Sequence, residues 1–179
     1  MPCNNWLSFA GNRHSGHDAA VKKRLVPALL TLSAIGAASI AVHEGYRSMA
    51  YDDGTGRATI GYGTTAGVKP GQKTDPVRAV VLLAEHASQV ETALRGCIGE
   101  VPLYQHEWDA YVSLAYNIGQ GAFCRSSIVP LLRAQPPDYA GACAQIKRWT
   151  MAGGRQMPGL VKRREAEYRL CMGDAGHGR

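Results

Sequence analysis

"HEGYRSMAYDDGTGRATIGYGTT", residues 43–65, brings a Glu and two Asps together and closes on a Gly- and Thr-rich ending. It follows directly on residues 25–42, "LVPALLTLSAIGAASIAV", which carry no charge at all. Gly54 and Gly56 supply turn conformations, and Thr59, Ile60 and Tyr62 supply strand-forming side chains, so "YDDGTGRATIGYG" predicts a β-hairpin. A helix carried on past Val42 puts Glu44 at its C-terminal end, between an apolar wall and an open cleft. A carboxyl so placed is disfavoured when charged and can keep a proton to donate.

Asp53 and Thr59 then face Glu44 from the hairpin, with room between for a polysaccharide and a water molecule. Inverting glycosidases need such a pair of acids: one protonates the leaving oxygen and the other activates water, roughly 6.5–9.5 Å apart. On spacing alone, a solvated turn with incidental acids reads equally well.

Length and composition bound the rest. A chain of 179 residues suits one domain with a sizeable core, and 45% apolar residues argue against wholesale disorder. Lys and Arg outnumber Asp and Glu by 20 to 14, which favours an anionic partner: nucleic acid, an anionic membrane or bacterial cell wall. No basic run is interleaved with aromatics, so nucleic acid is disfavoured. Cysteines stand at 3, 97, 124, 143 and 171 with no CxxC pair and no zinc spacing. In the cytosol they would be buried thiols. In an oxidising compartment Cys97, Cys124, Cys143 and Cys171 could form two disulfides, leaving Cys3 over, in a pairing that sequence leaves open.

The polar stretch 1–20 predicts disorder, and Val21 is a candidate alternative start. "KKR" (22–24) before the uncharged segment 25–42 makes a signal-like pattern, oriented with its N-terminus inside. Its Ala, Ser and Gly content makes insertion marginal, and at about 1.5 Å per residue it only just spans a ~30 Å core. A cleaved signal, with "AAS" at 37–39 as its site, and a buried core helix both compete with a marginal anchor able to leave the bilayer.

Downstream, Asp75 or Thr74 caps a helix opened by Pro76 and running to about Gly96, with Val77, Val80, Val81 and Ala84 as its apolar stripe. A second helix, from about Gln105 to Tyr116, puts Trp108, Tyr111, Val112 and Ala115 in the core. Asn117 caps it or serves a ligand. Short helices near 126–133 and 138–149 and a last one near 159–172 follow, with "AGGRQMPG" as a turn. Arg163 or Arg164 reads as pairing with Glu167 at helical spacing, weakly if exposed. The histidines His43, His86 and His106 show no pairing that gives them a role.

"EGYRSMAYDDGTGRATIGYG" (44–63) resembles the catalytic signature of the phage-type muramidases, glycoside hydrolase family 24. "VPLYQHEWDAYVSLAYNIGQGAF" (101–123) and "RWTMAGGRQMPGLVKRREAE" (148–167) are similar to two further blocks of that family, in the same order. The resemblance implies an α+β, lysozyme-like fold of a small hairpin lobe and a larger helical lobe with a cleft between. It implies hydrolysis of the β-1,4 bond between N-acetylmuramic acid and N-acetylglucosamine in peptidoglycan, with no cofactor and no metal. Glu44 would be the general acid, Asp53 and Thr59 would position the water, Asn117 would bind glycan, and an arginine behind the cleft would steady Glu44. Tyr51-x-Asp53 spacing selects Asp53 over Asp52, since strand side chains alternate faces. Thr64 departs from the His that many members carry there.

Residues 25–42 resemble the signal-anchor-release arm of some endolysins of Gram-negative phages. That implies tethering to the host inner membrane, release into the periplasm on depolarisation, and a pinholin-type protein as trigger. The expected organisation is a polar and basic segment 1–24, an anchor or signal segment 25–42, a catalytic domain 43–172 and a tail 173–179, acting as a monomer. Rival readings are a membrane-tethered peptidoglycan binder without turnover, a lytic transglycosylase using Glu44 without Asp53, and a nucleic-acid binder.

Overall fold

The computed structural model describes residues 23–52, 54 and 56–174. The polar segment 1–20, Val21, Cys3 and Asp53 lie outside the described residues. The uncharged segment is not one helix. Leu25 pairs antiparallel with Leu103 through two backbone hydrogen bonds of 2.8 Å, and Pro27–Leu29 forms a single 3-10 turn. Helix α1 (Ala34–Glu44) begins only at the N-cap Ser33, whose Oγ accepts from the Gly36 N–H at 3.1 Å.

The reason for the break lies in the body of the protein, which takes up the backbone groups that a continuous helix would pair internally. Arg95 donates to Pro27 O at 3.1 Å and to Leu30 O at 2.7 Å. The Leu32 N–H donates to Glu91 Oε1 at 2.7 Å. Arg24, from the basic run, holds Glu107 through two nitrogens and lies over the rings of Tyr104 and Tyr139. Among the described residues no helix is long and apolar enough to cross a membrane.

After Glu44 the chain turns at Gly45 (φ 69°) into strands β1 (Arg47–Asp52) and β2 (Ala58–Gly61), the expected antiparallel hairpin. Helix α2 (Pro76–Ile98) links this small lobe to the rest. Asp75 caps it, accepting from the Arg78 N–H at 2.9 Å, and Pro76 opens it. Its buried face, however, is Ala79, Leu83, Ala87, Val90, Leu94 and Ile98. Val77, Val80 and Val81 are 75%, 54% and 41% exposed, and Ala84 is exposed too, so the valine stripe expected as core faces outward. Both stripes have helical spacing, but only the buried one continues through all six turns of the helix.

The larger lobe comprises α3 (Gln105–Ile118), α4 (Gln120–Cys124), α5 (Ile128–Leu132), α6 (Tyr139–Gln145) and α7 (Pro158–Cys171). Helix α3 runs through its middle, burying Trp108, Tyr111, Val112 and Ala115 as expected. Each large apolar side chain fully withdrawn from water contributes about 1.5–3 kcal/mol. Two readings change. Gly119 (φ 87°), not Asn117, ends α3, because the chain leaves the helix there with a positive φ that glycine adopts without strain. "AGGRQMPG" is a second small hairpin, β3 (Met151–Ala152) and β4 (Arg155–Gln156), turned by Gly153 and Gly154. Cys97 pairs with Cys124 and Cys143 with Cys171, tying α2 to α4 and α6 to α7, so these four are not free thiols.

Candidate active site

Glu44 ends α1 with its side chain 18% exposed, at the meeting of the hairpin lobe and the helical lobe. The surface behind it is not the apolar wall expected from sequence. Arg163 Nη1, on α7, donates to Glu44 Oε1 at 2.7 Å. Arg163 is itself fixed: its Nε donates to Glu167 Oε1 at 3.0 Å and its Nη2 to Ser113 O at 3.4 Å. Ser113 Oγ donates to the same Glu167 oxygen at 2.8 Å.

Arg164 completes the group. Its Nη2 donates to Asn117 Oδ1 at 2.9 Å and to Glu167 Oε1 at 3.3 Å. Its Nε lies 2.8 Å from Glu167 Oε2, an ion-pair distance at which the N–H does not point along the contact. Both arginines thus pair with Glu167, and all three are buried rather than on an exposed helix face. Burial pushes the Glu167 pKa up, against the downward pull of Arg164, Arg163 and Ser113. Two carboxyl groups and two guanidinium groups make a cluster centred on Glu167, whose removal leaves the buried Arg164 without a carboxylate partner.

The other oxygen of Glu44 faces the tight loop after β2. Ile60 and Thr64 exchange backbone hydrogen bonds of 2.9 and 3.0 Å, and Gly61 and Gly63 turn the chain between them with φ of 64° and 82°. A Cβ on Gly63 would stand 3.0 Å from Glu44 Oε2. The loop is tied to the large lobe by Tyr116, whose hydroxyl donates to Tyr62 O at 2.8 Å. Thr64 fills the place of the family's His; its buried hydroxyl has no partner among the described residues. A buried hydroxyl left so costs about 1–3 kcal/mol.

Thr59 lies on β2 opposite Tyr51, only 3% exposed, with its hydroxyl donating to Arg57 O at 3.3 Å. Asp52 is occupied by the turn: its Oδ1 accepts from the Gly54 and Gly56 N–H groups at 2.8 and 3.0 Å. Asn117 is exposed and turned toward Arg164. His43, next to Glu44, has its pKa lowered by burial first and by Arg163 and Arg164 after it. His86 packs on Tyr116 with ring centroids 4.3 Å apart and the planes tilted by 44°. Gly63, Ser113 and Tyr116 lie inside the blocks that resemble the family, but no spacing singles them out within those blocks for a place at the site. Glu167 was marked by its three- and four-residue spacing from the two arginines.

A hairpin lobe, a linking helix and a helical lobe, with an arginine-held glutamate where they meet, define a lysozyme-like α+β fold. The phage lysozyme family model matches residues 41–167, and the chain belongs to that family. The endolysin of Acyrthosiphon pisum secondary endosymbiont phage 1 is 40% identical over 132 residues, 72% of this chain and 88% of that protein. The SAR-endolysin of Bacteriophage PS119 is 35% identical over 130 residues, 72% of this chain and 76% of that protein. In structure the chain is similar to the endolysin from Escherichia coli O157:H7 phage FAHEc1, with a TM-score of 0.72, 30% identity and coverage of 82% and 96% of the two chains.

Proposed function

We propose that this phage lysozyme family member is an endolysin that hydrolyses the β-1,4 bond between N-acetylmuramic acid and N-acetylglucosamine of peptidoglycan, lysing a bacterial host. The observation that carries the reading is Glu44, fixed through Oε1 by buried Arg163 and presenting Oε2 beside Gly63 where the hairpin lobe meets the helical lobe. Glu44 gives its proton to the leaving oxygen. Asp53, with Thr59, positions the water that attacks the sugar carbon from the opposite face. Asp52 is committed to two backbone N–H groups, which favours Asp53 as the second acid. Asn117, exposed beside the cluster, hydrogen-bonds the glycan. Peptidoglycan is the partner; no cofactor takes part in the reaction.

The protein waits at the host inner membrane and acts in the periplasm. Supporting this are the uncharged segment after "KKR", the names of relatives such as the SAR-endolysin of Bacteriophage PS119, and two disulfides, which form in oxidising compartments. Held in the bilayer, residues 34–42 could not dock on the body to deliver Glu44 to Arg163, even as a helix; released, they can. Depolarisation by a pinholin-type protein is the expected trigger. The test is clearing of purified peptidoglycan by the released protein, by Glu44→Gln and by Asp53→Asn. Near-complete loss in Glu44→Gln and a severe loss in Asp53→Asn are expected. An active Glu44→Gln contradicts the reading, and an active Asp53→Asn favours the transglycosylase rival.

A further inference from the structure

Helix α1 is short of apolar anchors for an element that ends in the proposed acid. Of its side chains Ile40 is fully buried and the small Ala37 and Ala41 pack half-buried on the core, while Ile35 and Val42 are 69% and 80% exposed. Hydrophobic contact is non-directional, so one buried isoleucine and two alanines do not fix how far a helix has slid or turned. Directional bonds at its two ends must do so.

At the C-terminal end the bond is Arg163 to Glu44. At the N-terminal end it is Asp109, on α3, a buried carboxylate. Asp109 Oδ1 accepts from the Ser33 N–H at 2.9 Å and Oδ2 from the Ser33 hydroxyl at 2.5 Å. The same Ser33 hydroxyl caps the helix at Gly36, and Gln105 donates to Asp109 Oδ1 at 2.9 Å. Gly36 is the point of closest approach. A Cβ there would lie 2.8 Å from Asp109 Cγ, 2.9 Å from its Oδ1 and 2.6 Å from Leu32 Cδ1. Ser113, whose carbonyl and hydroxyl hold Arg163 and Glu167, stands four residues after Asp109, on the same face of α3. One face of one helix therefore holds both ends of α1.

We propose that Asp109 is a positioning residue for the reaction: with Ser33 and the bare Gly36 it sets where α1 begins, and so where Glu44 stands in the cleft. The inference rests on Glu44 being the acid. It also gives Ser33 and Gly36 a role that an anchor segment does not need. Alanine is the better helix former and the more apolar residue, so Gly36→Ala favours a helical, membrane-inserted arm while obstructing the docked one.

The test compares kcat and KM on purified peptidoglycan for released full-length wild type, Gly36→Ala, Ser33→Ala, Asp109→Ala and Asp109→Asn, with Glu44→Gln alongside. Each is assayed well below its own melting temperature. A displacement of about 1 Å can cost up to about a hundredfold in rate. Gly36→Ala and Asp109→Ala are expected to lose about tenfold or more in kcat with KM within about twofold, and Asp109→Asn, which keeps an acceptor for the Ser33 N–H, to recover most of it. Should Asp109→Ala not fold, Gly36→Ala and Ser33→Ala carry the comparison. Folded Gly36→Ala and Ser33→Ala with wild-type kcat, or losses that follow only the unfolded fraction, overturn the proposal while leaving an inactive Glu44→Gln and the enzyme reading intact. A fully active Glu44→Gln overturns both.

Discussion

At the scale of single residues, the two oxygens of Glu44 have different neighbours, a guanidinium on one side and a glycine on the other. Gly63 answers two demands at once. Its φ of 82° strains any residue with a Cβ, by roughly 1–2 kcal/mol, and the missing Cβ leaves space for Oε2. Gly63→Ala is therefore expected to lose activity far beyond its modest loss of stability. Peptidoglycan clearing measured beside thermal unfolding checks this; equal activity in a folded variant would contradict it. Strand alternation separated Asp52 from Asp53, and the turn gives Asp52 two backbone donors to accept from.

At the scale of elements, legibility followed how local each cause was. The hairpin, a cap at Thr74 or Asp75 before Pro76, and the end of α1 at Glu44 depend on neighbouring residues, and all were readable. The buried face of α2 was missed, because Val77, Val80 and Val81 share the helical period with Ala79, Leu83 and Ala87 over the first turns, and only the continuation through Val90, Leu94 and Ile98 separates the two stripes. The break in residues 25–42 was likewise invisible, since its cause is Glu91, Arg95 and Asp109, some fifty residues or more away. The arginine behind Glu44 was reached through family resemblance; residue spacing gave only its pairing with Glu167. Disulfide partners are tertiary facts too. Cys97 and Cys124 close α2 against α4 across 27 residues, and constraining such a loop is worth about 2–4 kcal/mol. The double variant Cys97→Ala/Cys124→Ala should lose about that much in urea unfolding, and an unchanged midpoint would contradict it.

At the scale of the whole molecule, the packed histidines make stability depend on pH. Burial lowers the pKa of His43, with Arg163 and Arg164 adding to it, and burial lowers that of His86, both from an ordinary 6.5. The unfolded chain then binds protons more readily than the folded one. Their contribution is present above the unfolded value and is lost as pH falls through the lower, folded values. The melting temperature should fall from about pH 7.5 to about pH 5.5, and less steeply in His86→Phe, which keeps an aromatic ring packed on Tyr116. A variant with the same slope as wild type would remove His86 from this account.

The most direct test is mass spectrometry of the muropeptides released from purified peptidoglycan in water labelled with heavy oxygen, by wild type and by Glu44→Gln. Hydrolysis through Glu44 places the heavy oxygen on the new reducing ends made by wild type, and Glu44→Gln releases nothing. Unlabelled 1,6-anhydro ends would mean that no water enters the reaction, and the protein would be a lytic transglycosylase.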